Sequence, residues 1–307
     1  MIACLFPGQG SQAVGMGKML ADQFPVARAT FEEADRALGE PISRIVFEGP
    51  AETLALTEHT QPAILTASVA AWRVLAERGL TPAFVAGHSL GEYSAHVAAG
   101  TLDFADAVRL VRNRGRYMQD AVPVGIGAMA AILGLEEAAV IEACAEAAQG
   151  EVVSPANLNG AKQIVIAGTA AAVARAGECA KARGARRVIP LKVSAPFHCA
   201  LMAPAGERLE PELRSVPAQH PRIPVIANVD AQPRTTAAAG IDALIAQVSS
   251  PVRWEDTLRF LASAGVTTYI EVGPGTVLSG LVRKIHKDAL VLNVEAPADL
   301  AAIPFPS

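Results

Sequence analysis

One stretch of the sequence restricts the fold more than any other: the apolar run Ala83–Ala86, then Gly87-His88-Ser89-Leu90-Gly91, then a helical pattern to about Ala99. It fits G-x-S-x-G between a strand and a helix. The serine projects its hydroxyl outward only if strand and helix backbones approach so closely that a side chain at either glycine would collide. A turn this tight belongs to a sheet whose strands are each followed by a helix, and the chain repeats that rhythm. Ile2–Phe6 reads as a strand running into a Gly-rich turn, with helical patterns at Gly15–Gln23, Pro25–Leu38 and about Gln61–Arg78. Pro62 suits the first turn of the third helix and Gly79 its end. Asp103 opens a further helix carrying Arg109, Arg112, Arg114 and Arg116. The fold class expected is α/β with a mostly parallel sheet.

The rhythm changes in the middle. Ala128–Leu133 reads as a strand, Glu136–Ala148 as a helix, and Val152–Asn157 and Gln163–Ala167 as strands joined by an Asn-Gly turn. Thr169–Arg183 then reads as a helix and Arg187–Val193 as a strand. That β-α-β-β-α-β order is the ferredoxin-like pattern. It places a small subdomain at 124–194, inserted into a larger α/β core made of 1–123 and 195–307. The core resumes with strands at Pro224–Asn228 and Thr268–Val272 and helices at Asp256–Ala264 and Thr276–Lys287; the tail IPFPS looks loosely held.

Composition narrows the function. The 307 residues are 51% apolar but only 5% aromatic, and aliphatic richness suits buried parallel strands covered by helices. A mean hydropathy of +0.31 raises the membrane question, yet no uncharged run reaches the roughly 18 residues a spanning helix needs. The N-terminus has no basic segment ahead of an apolar one, so a signal peptide is not expected. A formal charge of -4 gives no footprint for nucleic acid. The four cysteines form no CxxC pair and the six histidines no HxxxH or HExxH pattern. Reduced thiols, a cytoplasmic location and no metal site are therefore expected.

Chemistry converges on Ser89. In a strand-to-helix turn its hydroxyl is a candidate nucleophile, and the Leu90 N–H at the helix start can stabilise an oxyanion. The competing use is structural, because Ser89-x-x-Glu92 also reads as a capping box. His198, in Ser194-Ala195-Pro196-Phe197-His198, follows a strand and a turn, where catalytic partners usually lie. His88 adjoins the serine and should point elsewhere; His96 reads as buried, and His59, His220 and His286 as surface residues. Cys199 is rejected as a nucleophile because adjacent residues rarely face each other. Gly8, Gly10 and Ala13 also fit a dinucleotide fingerprint, but the acids that should follow, Glu32, Glu33 and Asp35, fall in a helical pattern. A better use for these glycines is to bring the Gln9 backbone to a ligand as a second oxyanion donor. Arg114 is either a surface charge or, if buried near Ser89, a two-pronged grip on a carboxylate.

Taken in order, FPGQGSQ at 6–12, QPA at 61–63, GHSLGEY at 87–93, RNRGRYMQDAVP at 112–123, SPAN at 154–157, APFH at 195–198, NV at 228–229, QVSSPVRW at 247–254 and EVGPG at 271–275 span nearly the whole chain. With these motifs it resembles the malonyl-CoA:acyl carrier protein transacylases. The resemblance implies an α/β-hydrolase-like core with an inserted ferredoxin-like subdomain. It implies Ser89 as the acylated nucleophile, His198 as its base oriented by the main-chain carbonyl of Gln247, and the N–H groups of Gln9 and Leu90 as the oxyanion hole. Arg114 would bind the malonyl carboxylate, and Phe197 goes with malonyl rather than methylmalonyl selection. No permanently bound cofactor is implied: malonyl-CoA is a substrate, and phosphopantetheine arrives on the partner, acyl carrier protein. A monomer is expected, with no nucleic-acid or membrane partner.

Carrier proteins are acidic, so docking needs a local basic patch. Arg183, Arg186, Arg187 and Lys192 form one such cluster, and Arg283, Lys284 and Lys287 another; either could equally be a solvated face. Arg186 and Arg187 are the expected docking residues. Three other functions share parts of the pattern. A free-standing polyketide or malonate-decarboxylase acyltransferase would carry the same motifs, a serine esterase or thioesterase would hydrolyse its acyl-enzyme, and a non-catalytic module would leave Ser89 and His198 without a use.

Overall fold

The computed structural model describes residues 1–191 and 193–306; Lys192, one member of the first basic cluster, lies outside them. Among the described residues, ten strands form two sheets: β1 Ile2–Phe6, β2 Phe84–Gly87, β3 Gly127–Leu133, β4 Val153–Leu158, β5 Gln163–Thr169, β6 Arg187–Pro190, β7 Val225–Ile226, β8 Pro233–Arg234, β9 Thr268–Val272 and β10 Leu290–Val294. The larger sheet has the order β10-β9-β1-β2-β7-β8. Its neighbours are parallel except for β8, which is antiparallel at the edge. Ala3 to Phe6 of β1 are all buried: a strand covered by helices on both faces reads as an unbroken apolar run. Phe6 pairs with Gly87, so β1 and β2 end side by side and the loops beyond them emerge together. That register positions the candidate site.

The smaller sheet, β4-β5-β3-β6, is antiparallel throughout. Alternation along β3 divides its side chains between two cores. Ala130 and Ile132 join Val140, Cys144, Ile166 and Val173 under the helices Glu137–Ala148 and Ala170–Ala182. Met129 and Ala131 instead face the main core. The smaller sheet is tied to the core through β4, because Leu158 N–H donates to Val252 O and Val252 N–H to Ala156 O, both at 2.8 Å, just before the helix Trp254–Ser263.

Several boundaries differ from those expected. The third helix begins at Thr57, not Gln61, which puts Pro62 inside it rather than in the first turn. The proline leaves Glu58 O without its usual donor, and buried Arg112 reaches that carbonyl at 3.3 Å. Gly15 and Gly17 take φ of 92° and 72°, so the first helix shrinks to Lys18–Gln23. The strands expected at Arg187–Val193 and Pro224–Asn228 shorten to Arg187–Pro190 and Val225–Ile226. Helices at Ile42–Glu48, Ala203–Ser215 and Ala237–Gln247 and strand β10 carried no separate sequence signal. The tail is better held than expected: Ile303 is buried, and Arg78 stacks 5.7 Å over Phe305. Among the described residues, no helix is long and apolar enough to cross a membrane.

Candidate active site

The turn after β2 is as tight as its glycines require. A Cβ on Gly87 would lie 1.9 Å from the Gly91 backbone, one on Gly91 2.0 Å from Phe6 O, and one on Gly8 2.4 Å from His88 O. The first closes the turn on itself, and the other two pack it against the end of β1 and the loop beyond. Ser89 takes φ of 53°, a left-handed backbone uncommon outside glycine. Asn228 holds that conformation: its Oδ1 accepts from Ser89 N–H at 2.7 Å and its Nδ2 donates to Gly87 O at 2.7 Å. No role for Asn228 was evident from sequence, where it stood out only within a two-residue motif.

Ser89 Oγ lies 2.6 Å from His198 Nε2, and His198 Nδ1 lies 3.0 Å from Gln247 O. With Nδ1–H donating to the carbonyl, Nε2 is free to accept the serine proton. Gln247 is the last residue of the helix Ala237–Gln247, where carbonyls have no intrahelical donor. The negative end of the helix dipole also favours an imidazolium there. A helix terminus thus stands where a carboxylate stands in Ser-His-Asp triads. Burial, and then the Arg114 charge, push His198 down to about 3, so at neutral pH the imidazole is an unprotonated base. His198 shares the left-handed backbone, at φ 61°.

Arg114 is 1% exposed. Its Nη1 donates to Gln61 Oε1 at 2.8 Å, and its Nη2 to Gln247 Oε1 at 3.0 Å and Ser89 Oγ at 3.1 Å. The guanidinium also stands 5.5 Å from the Tyr93 ring. Arg109 and Arg116 on the same helix are exposed, as a surface reading expects, but Arg112 is buried and paired with Glu40 at 2.7 Å. The N–H groups of Gln9 and Leu90 have no protein acceptor among the described residues. Gln9 is held from the side by a 3.4 Å bond from Nε2 to Thr57 Oγ1.

Gln247 stands behind Arg114 and His198. Gln9, Ser89, Leu90, Arg114 and His198 line one cleft of about 120 Å³ together with Met118, Met129, Val165, Leu191 and Phe197. It is small beside the roughly 300–1,000 Å³ typical of ligand pockets, and its walls come from both sheets. The structure therefore brings together Ser89, His198, Arg114, Gln9, Leu90, Gln247 and Phe197. It leaves Arg186 and Arg187 exposed and away from the cleft lining. His88 turns to Asn159 at 2.9 Å. His96 is buried, whereas His59 and His286, expected at the surface, are half-buried against Arg112 and Tyr269. Cys199 donates to Pro196 O at 3.1 Å, and burial raises its thiol to about 11. The acids that a dinucleotide fingerprint would need lie inside the helix Pro25–Leu38. Among the described residues, no group of three or more His, Cys, Asp or Glu could hold a metal ion.

Comparison with known proteins agrees with the geometry. Residues 4–300 match the acyl transferase domain family. A malonyl CoA-acyl carrier protein transacylase of Salmonella typhimurium is 51% identical over 301 residues, covering 98% of this chain and 97% of the relative. The crystal structure of an acyl carrier protein S-malonyltransferase from Vibrio cholerae superposes with a TM-score of 0.97 at 52% identity, covering 99% of each chain. A malonyl-transacylase solved in complex with a type II PKS acyl-carrier protein gives 0.96 at 48% identity, covering 98% of each. The chain belongs to the malonyl CoA-acyl carrier protein transacylase family of acyl transferases.

Proposed function

We propose that this chain moves a malonyl group from malonyl-CoA to the phosphopantetheine thiol of acyl carrier protein, through a malonyl ester on Ser89, and so supplies fatty acid synthesis. The observation that carries this reading is the buried Arg114 guanidinium 3.1 Å from Ser89 Oγ. A buried cation beside a nucleophile selects an acyl group that ends in a carboxylate, which it grips through paired N–H bonds. An ordinary esterase has no use for it.

In the first half-reaction, His198 Nε2 takes the Ser89 proton as Oγ attacks the thioester carbonyl. The tetrahedral oxyanion is met by the N–H groups of Gln9 and Leu90. Its collapse expels the CoA thiolate, which leaves with the proton held by His198. In the second half, the carrier's thiol gives its proton to His198 and attacks the malonyl ester, and Ser89 regains a proton as it leaves. Arg114 holds the carboxylate throughout, so the carbonyl stays in a reactive pose. Phe197 closes the wall of a cleft too small for long acyl chains. Nothing in this scheme requires a resident cofactor.

The connectivity and order β4-β5-β3-β6 support a ferredoxin-like subdomain at 124–194, and the parallel sheet with its serine turn supports a hydrolase-like core made of 1–123 and 195–307. Arg186 and Arg187 are proposed to dock the acidic carrier; both are exposed, and neither forms an ion pair among the described residues. We place the enzyme in the cytoplasm as a monomer. The test is transfer against a panel of acyl-CoA donors with one carrier protein. Malonyl transfer should dominate over both acetyl transfer and hydrolysis, whereas net hydrolysis would favour a thioesterase.

A further inference from the structure

Glu92 is fully buried in the first turn of the helix Gly91–Ala98. Its Oε2 accepts from Asn228 N–H at 3.0 Å and from Gln247 Nε2 at 2.7 Å, and its Oε1 has no partner among the described residues. The other end of the Gln247 amide accepts from Arg114 at 3.0 Å. A single amide therefore stands between a buried carboxylate and a buried guanidinium. Its orientation is fixed, because turning it over would set NH₂ against guanidinium N–H and oxygen against carboxylate. The charged and titratable groups facing Glu92 are Arg114 from the helix Phe104–Asp120, Arg234 from β8, and Tyr93 beside it on its own helix. Arg234 is itself paired with Asp230 at 2.7 Å.

We infer that Glu92 is the counter-charge of Arg114, and that entry of a carboxylate-bearing acyl group is balanced by one proton taken from solvent onto Glu92. This rests on the malonyl reading above. With the cleft empty, Arg114 and Glu92 offset each other inside a low-dielectric core. A second carboxylate on Arg114 would leave that core with an extra negative charge, which is costly without compensation. The Glu92 carboxyl supplies the compensation: the arriving carboxylate keeps its charge against Arg114, and the proton goes to Glu92, the buried acid linked to it. Burial has already raised Glu92 to about 7, against the pull of its hydrogen bonds and of both arginines, so a small added repulsion suffices to protonate it. Glu92 does not touch the acyl group. It is a positioning and charge-balancing residue that makes dicarboxylic recognition sensitive to pH.

The test uses the full chain with Ser89→Ala, which cannot be acylated, titrated calorimetrically with malonyl-CoA and with acetyl-CoA at about pH 8 in buffers of different ionisation enthalpy. Malonyl-CoA should take up roughly 0.5–1 proton more than acetyl-CoA, and its Kd should rise toward about tenfold per pH unit where acetyl-CoA stays flat. Equal uptake would overturn the inference. Adding Glu92→Gln should abolish the difference; a difference that persists assigns the proton elsewhere, to His198 first, and also overturns it. If Glu92→Gln does not fold, Ser89→Ala with His198→Gln decides: uptake retained supports Glu92, and uptake lost contradicts it. Failure of malonyl-CoA to acylate the unmodified chain would remove the functional reading and this inference together. Acylation with equal proton uptake would remove the inference alone.

Discussion

The proposed chemistry rests on three side chains drawn from distant parts of the sequence. Ser89 was legible because its glycines leave a pattern, and the structure gives the cause in clashes at 1.9 and 2.0 Å. Arg114 was one of four arginines on a single helix, and periodicity alone could not say which was buried. Asn228 and the side-chain role of Gln247 left no local signal, because their partners lie 139 and 133 residues away. Arg114→Ala should lower kcat/KM for malonyl-CoA by roughly 10²–10³-fold, the equivalent of about 3–4 kcal/mol for a buried charge pair broken on one side. Acetyl transfer should fall far less, and parallel kinetics with both donors checks this. Asn228→Ala frees the Ser89 backbone without touching substrate. It should lower kcat by about tenfold or more with little change in KM, the signature of lost orientation.

At the scale of elements, the sequence carried the inner strands of the large sheet better than its edges, β8 and β10. β1 and β9 fall at their expected residues because a buried parallel strand is an unbroken apolar run. The helix Thr57–Glu77 was cut short at Pro62, since a proline ordinarily marks a first turn; here Arg112 replaces the missing donor across the helix pair. The Ala-rich helix Ala237–Gln247 has little amphipathic contrast to betray it, yet its last carbonyl holds the His198 imidazole at 3.0 Å. The serine turn yields the sharpest prediction. Gly91→Ala puts a methyl against Phe6 O, a backbone atom that cannot swing away, and should destabilise the fold by roughly 4 kcal/mol or more. Urea denaturation measures this, with Gly280→Ala as a control, since a Cβ there meets nothing within 4 Å.

For the molecule as a whole, buried titratable groups set the response to acid. Burial lowers the pKa of His88, His96 and His198, the last two to about 3. Once unfolded, all three bind protons near pH 6.5, so they withdraw stability as pH falls below that value. Glu92 and Glu271 are raised by burial and act oppositely, adding stability as pH falls toward their unfolded values. The three histidines outnumber the two carboxyls, so stability should fall from pH 6.5 to pH 5. Denaturant midpoints at the two pH values check the sign. Docking also belongs to this scale. Reversing the charges of Arg186 and Arg187 should weaken transfer to carrier protein and leave acylation by malonyl-CoA unchanged.

The central claim is a malonyl ester on Ser89 that a carrier thiol, and not water, removes. Intact-protein and peptide mass spectrometry after exposure to malonyl-CoA tests it directly. One malonyl adduct should appear on the peptide carrying Ser89, be absent in Ser89→Ala, and move to holo-acyl carrier protein when that is added. An adduct that persists in Ser89→Ala, or one lost only to hydrolysis, would contradict the account.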